Sequence, residues 1–466
     1  MKLYNTLSGK IEPFVPLEEG KVKMYTCGPT VYHYAHIGNL RNYIMEDILE
    51  KTLRYIGYEV TRVMNITDVG HLSSDADTGE DKMLKGAKRE HKTVLEIADL
   101  YTKAFFQDCE KLNIKYPDIV SPATSHIADY IKMIETLLAK GYAYESQGNI
   151  YFDTSKLDDY YQLTNHQEDD LVVGARAGVE YDDSKRNQAD FVLWFTKSKF
   201  DDQELKWDSP WGIGYPGWHI ECSCISMCHL GETLDIHCGG VDNIFPHHTN
   251  EIAQSEAYLG HKWCNYWVHN EHLNIASGKM SKSTGEFITV ATLEEKGFDP
   301  LSYRFFCLGS HYRKQLLFHY ESLESAAKAY QKLKQRVRGL LLDSSGEVDS
   351  KIVFQYDRQF QEALMDDLNT ANACTVLYDV LKLDCNNATK LDLIRKFDSV
   401  LSLSLLETVE VDKNLEQYIL EQIAKRQEAK EQKDFATADR IRSELLKQGI
   451  VLRDTRVGTT YEIEEK

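Results

Sequence analysis

The sequence predicts an α/β protein in which a doubly wound parallel sheet is followed by an all-α helical bundle and a small C-terminal unit. Val22–Thr26 is short, apolar and followed by Cys-Gly-Pro, as expected for a strand that ends in a turn. Apolar residues then recur at helical spacing from Leu40 to Leu53, and Glu59–Ile66 supplies a second strand. A strand, a helix and a strand in this order form the βαβ unit of a parallel sheet.

Later segments extend this pattern and suggest the domain boundaries. Leu234–Gly240 predicts another strand, which ends in glycines and is followed by a helix. The more polar residues 69–210 are predicted to be largely inserted or connective material. We therefore expect a first domain at 1–315, a helical bundle at 316–408 and a third unit at 409–466, since 466 residues exceed one ordinary core.

Composition limits the classes of protein to consider. Hydrophobic residues make up 42% of the chain and charged residues 27%, which is ordinary for a globular protein. No apolar run is long enough to span a membrane, and the start of the chain lacks the apolar stretch of a secretory signal. We expect a cytoplasmic location and no membrane partner.

The net charge of −19 argues against a nucleic-acid partner, because an acidic surface repels phosphates. Residues 421–460 differ, since they hold nine Lys/Arg and seven Asp/Glu and are therefore +2. This change of sign permits a different partner at the C-terminus.

The cysteines and one histidine–glutamate pair indicate a metal site. His247 and Glu251 are four residues apart on a predicted helix and so share one face. With Cys27 and Cys222 they offer two sulfurs, one nitrogen and one oxygen, a set that suits tetrahedral zinc. The alternatives are that His247 and His248 lie near phosphates, or that a structural site is formed by the four cysteines Cys222, Cys224, Cys228 and Cys238.

Two further segments suggest phosphate chemistry. His36, Gly38 and Asn39 precede a predicted helix, whose N-terminus suits phosphates and where side-chain donors can meet charge developing on a triphosphate. Lys279 and Lys282 lie in a loop flanked by glycines and can clamp a leaving pyrophosphate. The alternatives are a polar helix cap and a solvated basic loop.

Several motifs, taken together, resemble the cysteine-specific members of the class I aminoacyl-tRNA synthetases. They are Cys27-Gly-Pro-Thr-Val-Tyr with His36-Ile-Gly-Asn39, Lys279-Met-Ser-Lys282-Ser, Pro216-Gly-Trp-His-Ile-Glu-Cys222, Asp235-Ile-His-Cys-Gly-Gly240, Phe245-Pro-His-His-Thr-Asn-Glu251, Lys433-Asp-Phe-Ala-Thr-Ala-Asp439 and Gly449-Ile-Val-Leu-Arg-Asp-Thr455. Asn39 stands where the general class signature has a second histidine. Val69–Glu80 resembles an insertion relative to the family.

The resemblance implies a Rossmann-type catalytic domain that uses ATP to join L-cysteine to tRNA(Cys) through cysteinyl-adenylate. It implies one zinc ion on Cys27, Cys222, His247 and Glu251, and it makes Lys282 the ATP lysine. Mg²⁺ is expected with ATP.

The resemblance also implies further site residues and a role for the C-terminal unit. It places Thr67 and Trp218 near the amino-acid pocket, although a core aromatic is the alternative for Trp218. Asp242 follows a strand end and is expected to meet the ribose of ATP. The unit 409–466 is expected to recognise the anticodon, and the chain is expected to be a monomer.

Two other functions stay open at this point. One is a ligase that joins activated cysteine to a small amine, and the other is a non-catalytic synthetase-like protein that binds tRNA or cysteine. The C-terminal motifs, which the small-molecule ligases match poorly, argue against the first. The presence of His36, both lysines and all four metal-ligand candidates argues against the second.

Overall fold

A computed structural model of the chain describes residues 1–68, 83, 89–90, 92–164, 183–197, 205–275, 278–279, 287–407, 413–455 and 458–463. These residues separate into two units, Met1–Leu406 and Glu407–Lys466. Lys282 and Val69–Glu80 lie outside the described residues. In the part of the chain that is described, no helix combines the length and the apolar character needed to cross a membrane.

The strands of the first unit form several sheets. In chain order they are β1 (Lys2–Asn5), β2 (Lys10–Pro13), β3 (Lys21–Thr26), β4 (Glu59–Ile66), β5 (Ile119–Pro122), β6 (Ala143–Ser146), β7 (Asn149–Phe152), β8 (Phe191–Phe195), β9 (Tyr215–Pro216), β10 (Leu234–Gly240), β11 (Cys264–Asn270), β12 (Leu273–Ile275), β13 (Gly278–Lys279) and β14 (Leu316–Leu317). The helices are α1 (Ile37–Tyr55), α2 (Val94–Lys111), α3 (Ile127–Ala139), α4 (His219–Leu230), α5 (Thr249–Leu259), α6 (Val290–Glu295), α7 (Pro300–Leu308), α8 (Tyr320–Leu341), α9 (Ser350–Met365), α10 (Thr370–Val380) and α11 (Asn387–Leu401).

Five strands make up the central parallel sheet, in the order β11-β10-β3-β4-β5. The chain adds β4 and β5 on one side of β3, then returns to the other side of β3 to add β10 and β11. The strand order thus reverses between β3 and β10, where ligands of doubly wound sheets bind outside the carboxyl ends of the strands. The predicted doubly wound parallel sheet is confirmed.

The strands of this sheet are largely buried, because helices such as α1 and α4 pack against it. Every residue of β4 from Arg62 onward is buried, and so is every residue of β10 before Gly240. Strands buried on both faces are expected to be nearly continuous apolar runs. Helix α1 buries Leu40, Ile44 and the other apolar residues whose spacing predicted it.

A four-stranded antiparallel sheet, β6-β7-β8-β9, is inserted between β5 and β10. It packs with α3 around Phe152, Trp194 and Ile134. Strand β5 of the parallel sheet and helix α2 lie inside the range 69–210, which the sequence predicts as largely inserted. A four-residue strand that ends in proline carries little signal of its own, and its place in the sheet is set by pairing with β4.

Helices α8 to α11 form a bundle that shares one apolar core with the parallel sheet. The rings of Phe360 and Phe397 stack within it, with centroids 4.1 Å apart. The break between α9 and α10 was not predicted. Asp367 and Leu368 have positive φ there, and the Asp367 carboxylate accepts hydrogen bonds from the backbone N–H of Tyr4 and the hydroxyl of Tyr312.

The second unit consists of two helices, α12 (Lys413–Glu431) and α13 (Phe435–Lys447), and an antiparallel pair of strands, β15 (Ile450–Thr455) and β16 (Gly458–Ile463). Ile419 of α12 packs against Ile441, Leu445 and Ile450. The two strands were not predicted from the sequence.

Candidate active site and metal centre

A cleft of about 1030 Å³ opens at the carboxyl ends of β3, β4, β10 and β11. It occupies the position where the strand order reverses. Many of the predicted site residues line it, namely Cys27, His36, Gly38, Asn39, Thr67, Trp218, Cys222, Asp242 and His247. The topology thus brings together residues from widely separated parts of the sequence.

The four predicted metal ligands converge at the base of this cleft. One ligand atom from each of Cys27, Cys222, His247 and Glu251 lies within 4.8 Å of the others. The sulfurs of Cys27 and Cys222 are 3.8 Å apart, and Cys222 Sγ is 3.5 Å from His247 Nε2. His247 Nε2 is 2.9 Å from Glu251 Oε1. The set contains two sulfurs, one nitrogen and one oxygen, as predicted.

Glycines allow the chain to bring these ligands close. Cys27 follows the end of β3, and a Cβ atom on the next residue, Gly28, would lie 1.6 Å from the backbone oxygen of Asn65. Cys222 lies in the first turn of α4, and a Cβ on Gly217 just before that helix would lie 2.0 Å from the backbone oxygen of Val192. Only glycine fits in either place.

The electrostatics of the cluster favour a cation. Burial opposes charge on Glu251, but the neighbouring His237 and His247 hold the pKa of its carboxyl at about 2. Burial would lower the pKa of His247, yet Glu251 and Cys222 raise it to about 10. Glu251 and Cys222 therefore stabilise positive charge at a buried place, as is expected where a divalent metal ion binds.

One buried oxygen supports the same conclusion. Glu251 Oε1 lies 2.9 Å from His247 Nε2, but no described residue donates a hydrogen bond to it. A buried carboxylate oxygen without a hydrogen bond is costly, and ligation of a metal is one way to satisfy it. The donor set and this oxygen both fit zinc.

Further histidines contact the ligands, and the sequence did not predict these contacts. His237 Nε2 lies 2.9 Å from Glu251 Oε2, and His219 Nδ1 lies 3.0 Å from His247 Nδ1. His248 Nε2 is 3.3 Å from Cys27 Sγ, so Cys27, His237, His248 and Glu251 also form a group of ligand type. The available signal was His237, which with Asp235 is polar in a strand whose other residues are apolar or glycine. Such outer residues orient metal ligands.

The alternative four-cysteine site is not formed. Cys224 Sγ packs 3.7 Å from Met133 Sδ, and Cys228 is exposed at the far end of α4. Among the described residues, the groups able to hold a metal do not combine Cys222 with Cys224, Cys228 or Cys238.

His36 and Asn39 cap the first turn of α1 while they line the cleft. His36 Nδ1 accepts a hydrogen bond from the backbone N–H of Asn39, and the Asn39 side-chain oxygen accepts one from the backbone N–H of His36. A Cβ on Gly38 would lie 2.9 Å from His36 Nδ1. The helix-cap interpretation is therefore correct, and it is compatible with a role toward phosphate.

Thr67 and Trp218 flank the metal ligands. Thr67 is buried, and its hydroxyl donates to Glu221 Oε2 at 2.8 Å. The indole of Trp218 stacks on the imidazole of His247. Trp218 therefore forms a wall of the cleft rather than part of a remote core.

Asp242 lies just beyond the end of β10. It is about half exposed, and its Oδ1 is 2.9 Å from His272 Nε2. Both side chains line the cleft.

The lysine loop begins beside the cleft. The backbone of Lys279 in β13 pairs with Asn274 in β12, and Leu273 of β12 lines the cleft. Lys282 and the side chain of Lys279 lie outside the described residues.

Comparison with known proteins identifies the family. Residues 13–328 match the model of the class I (C) tRNA synthetase catalytic domain, and residues 359–405 match the DALR domain. In an alignment 492 positions long, the chain is 48% identical to a cysteine–tRNA ligase of Treponema denticola, with 99% of each chain covered. In an alignment 476 positions long, it is 45% identical to the cysteine–tRNA ligase of Borrelia hermsii, with 98% of each covered.

Among solved structures, the chain is similar to a methionyl-tRNA synthetase of Mycobacterium tuberculosis in complex with methionyl-adenylate, with a TM-score of 0.55 and 15% identity over 82% of this chain and 90% of that one. At this identity the likeness shows the class I fold. The match to the catalytic-domain model and the relatives that cover 98–99% of the chain establish that it belongs to the cysteine–tRNA ligase family of class I tRNA synthetases.

Proposed function

We propose that this chain, as a member of that family, joins L-cysteine to tRNA(Cys) in two steps, using ATP to form cysteinyl-adenylate and zinc to select the cysteine. The observation that carries the proposal is the convergence of Cys27, Cys222, His247 and Glu251 at the base of the cleft. A cysteine-specific enzyme has a particular need for such a site.

Such an enzyme must reject serine, which differs from cysteine only by oxygen in place of sulfur. A hydrophobic pocket separates near-isosteres by only about 10–200-fold. When bound, zinc would supply a soft cation that prefers a thiolate to a hydroxyl. The chain's own contribution is to hold the ligands rigidly, since His237 fixes Glu251 and the stacked ring of Trp218 fixes His247. Trp218 and Thr67 then confine the rest of the amino acid.

ATP would occupy the part of the cleft nearest α1. The N-terminus of α1 presents backbone N–H groups and a positive dipole end to the phosphates. His36 and Asn39 flank that end, and the lysine loop that begins at Lys279 would bring Lys282 to the pyrophosphate as it leaves. We assign Asp242 to the ribose and expect Mg²⁺ with the triphosphate.

The tRNA would be held by the helical bundle and the C-terminal unit, with 409–466 recognising the anticodon. The positive balance of residues 421–460 supports this division, because an otherwise acidic chain needs locally concentrated positive charge to bind RNA. We further propose that the protein is a monomer and works in the cytoplasm. The small-amine ligase is disfavoured, because cysteine–tRNA ligases match 98–99% of the chain, including this unit.

A charging assay with radiolabelled amino acids tests the function. The purified protein is incubated with ATP, Mg²⁺ and total tRNA, and label precipitated with tRNA is counted for cysteine and, in parallel, for serine. We expect cysteine to be incorporated and serine to remain at background. Adenylate formation without any transfer to tRNA would contradict the proposal and favour a small-molecule acceptor.

A further inference from the structure

A separate group of metal-ligand side chains lies away from the cleft, where the segment after β5 meets the C-terminal end of α4. His126, Asp129 and Cys228 each place one ligand atom within 4.8 Å of the other two. His126 Nδ1 is 3.0 Å from Asp129 Oδ2. None of the three lines the cleft that holds the proposed zinc and ATP sites.

The histidine of this group is held in a fixed orientation. Its other ring nitrogen, Nε2, lies 2.7 Å from the hydroxyl of Ser121 in β5. The same hydroxyl lies 3.2 Å from Nε2 of His229. The His126 side chain is only 11% exposed, so its Nδ1 is aimed at Asp129 and Cys228 by its surroundings. A histidine whose second nitrogen is fixed by a polar partner is the usual arrangement in metal sites.

The remaining two ligands are accessible from solvent. Asp129 is 46% exposed and Cys228 is exposed. A nitrogen, a carboxylate oxygen and a sulfur suit divalent ions at the zinc end of the transition series. With three protein ligands, the fourth coordination position of a bound metal would be open to a water molecule.

We propose that His126, Asp129 and Cys228 form a second, surface metal site that binds a divalent transition metal ion of the zinc type. The site joins the start of α3 to the last turns of α4. Helix α4 carries Cys228 near its end and Cys222 in its first turn. Metal bound at the surface site therefore stabilises the same helix that supplies Cys222 to the proposed zinc site.

The test uses the full-length protein after dialysis against a weak chelator, which leaves tightly bound zinc in place. Co²⁺ is then added without oxygen, and the near-ultraviolet band that marks a cobalt–thiolate bond is followed. We expect one equivalent of Co²⁺ to produce the band in the wild-type protein. Cys228→Ser should abolish the band, and Asp129→Asn should weaken Co²⁺ binding at least tenfold.

Cys385→Ser is the matched control, because Cys385 is a partly exposed cysteine in another part of the first unit. It should leave the band and the affinity unchanged. No band in the wild-type protein, or an undiminished band in Cys228→Ser, would overturn the proposal and leave His126 and Asp129 as a hydrogen-bonded pair. Because these variants avoid Cys27, Cys222, His247 and Glu251, the zinc retained after dialysis reports separately on the buried centre.

Discussion

The indole ring of Trp218 lies parallel to the imidazole of His247, with centroids 4.2 Å apart and an angle of 6° between the planes. Trp218 is also the N-cap residue of α4, whose first turn carries Cys222. The ring of Trp218 therefore covers one metal-ligand candidate and forms a wall of the cleft, and its backbone precedes the helix that supplies another candidate. This links the proposed metal centre to the proposed amino-acid pocket.

Removal of the Trp218 ring should weaken cysteine binding. An aromatic stack contributes about 0.5–1.5 kcal/mol beyond its buried area. Trp218→Ala should therefore raise the KM for cysteine in ATP–pyrophosphate exchange by about 3- to 10-fold, whereas Trp218→Phe should preserve most of the wild-type value. An unchanged KM for cysteine in Trp218→Ala would mean that this ring only fills space.

Loss of the ATP lysine should affect activation itself. We expect Lys282→Ala to slow cysteine-dependent ATP–pyrophosphate exchange by about 10²–10³-fold, the range for removing one preorganised group that stabilises developing charge. Lys296→Ala is a suitable control, because Lys296 lies over the ring of Tyr320, outside the lysine loop. Normal exchange in Lys282→Ala would indicate that the loop is only a solvated segment.

Truncation should separate adenylate formation from tRNA charging. The parallel sheet and the cleft lie within Met1–Leu406. A chain that ends near residue 410 should still form cysteinyl-adenylate but show a raised apparent KM for tRNA in charging assays. Intact charging by this chain would assign residues 411–466 a role in stability instead.

Arg304 should be essential for stability, because it neutralises a buried carboxylate on helix α1. Its Nη2 lies 2.6 Å from Asp47 Oδ2, and neither side chain is exposed. Burial would raise the pKa of Asp47, but the charges of Arg304 and Lys51 bring it below its ordinary value. Arg304→Met should reduce the free energy of unfolding by about 3 kcal/mol. This is the low end of the range for breaking a buried ion pair, because Lys51 still pairs with Asp47.

Urea unfolding measures this change, with Lys328→Ala in an exposed pair as the control. Because the pKa of Asp47 is lowered in the folded protein, the pair's contribution is complete above the ordinary range of aspartate. It should decline as the pH falls toward and below the folded pKa. Equal stability of Arg304→Met and wild type at neutral pH would contradict this account.

The sequence predicts best those features that depend on local patterns. β3, α1 and β4 follow from the pattern of apolar residues. The four-residue separation of His247 and Glu251 correctly predicts that their side chains lie next to each other. The pairing of these two with Cys27 and Cys222 also required the family resemblance, because nothing local relates residues so far apart.

What could not be predicted depends on packing between distant elements. His237 of β10 contacts Glu251 of α5, and His219 of α4 contacts His247 in the turn before α5, only because the fold brings these distant segments together. β5 is too short to be recognised without its partner β4. The break at Asp367 is stabilised by Tyr4 and Tyr312, which are remote in sequence.

The central claim, that a zinc ion held by Cys27, Cys222, His247 and Glu251 selects cysteine, is tested most directly by the zinc content of a matched pair of variants. Cys222 and Cys224 are both buried and lie two residues apart on α4, yet only Cys222 points to the ligand group. After dialysis against a weak chelator, zinc per chain is measured in Cys222→Ser and Cys224→Ser. We predict that Cys222→Ser loses the tightly bound zinc and Cys224→Ser keeps one equivalent. Loss of zinc in Cys224→Ser alone would contradict the account.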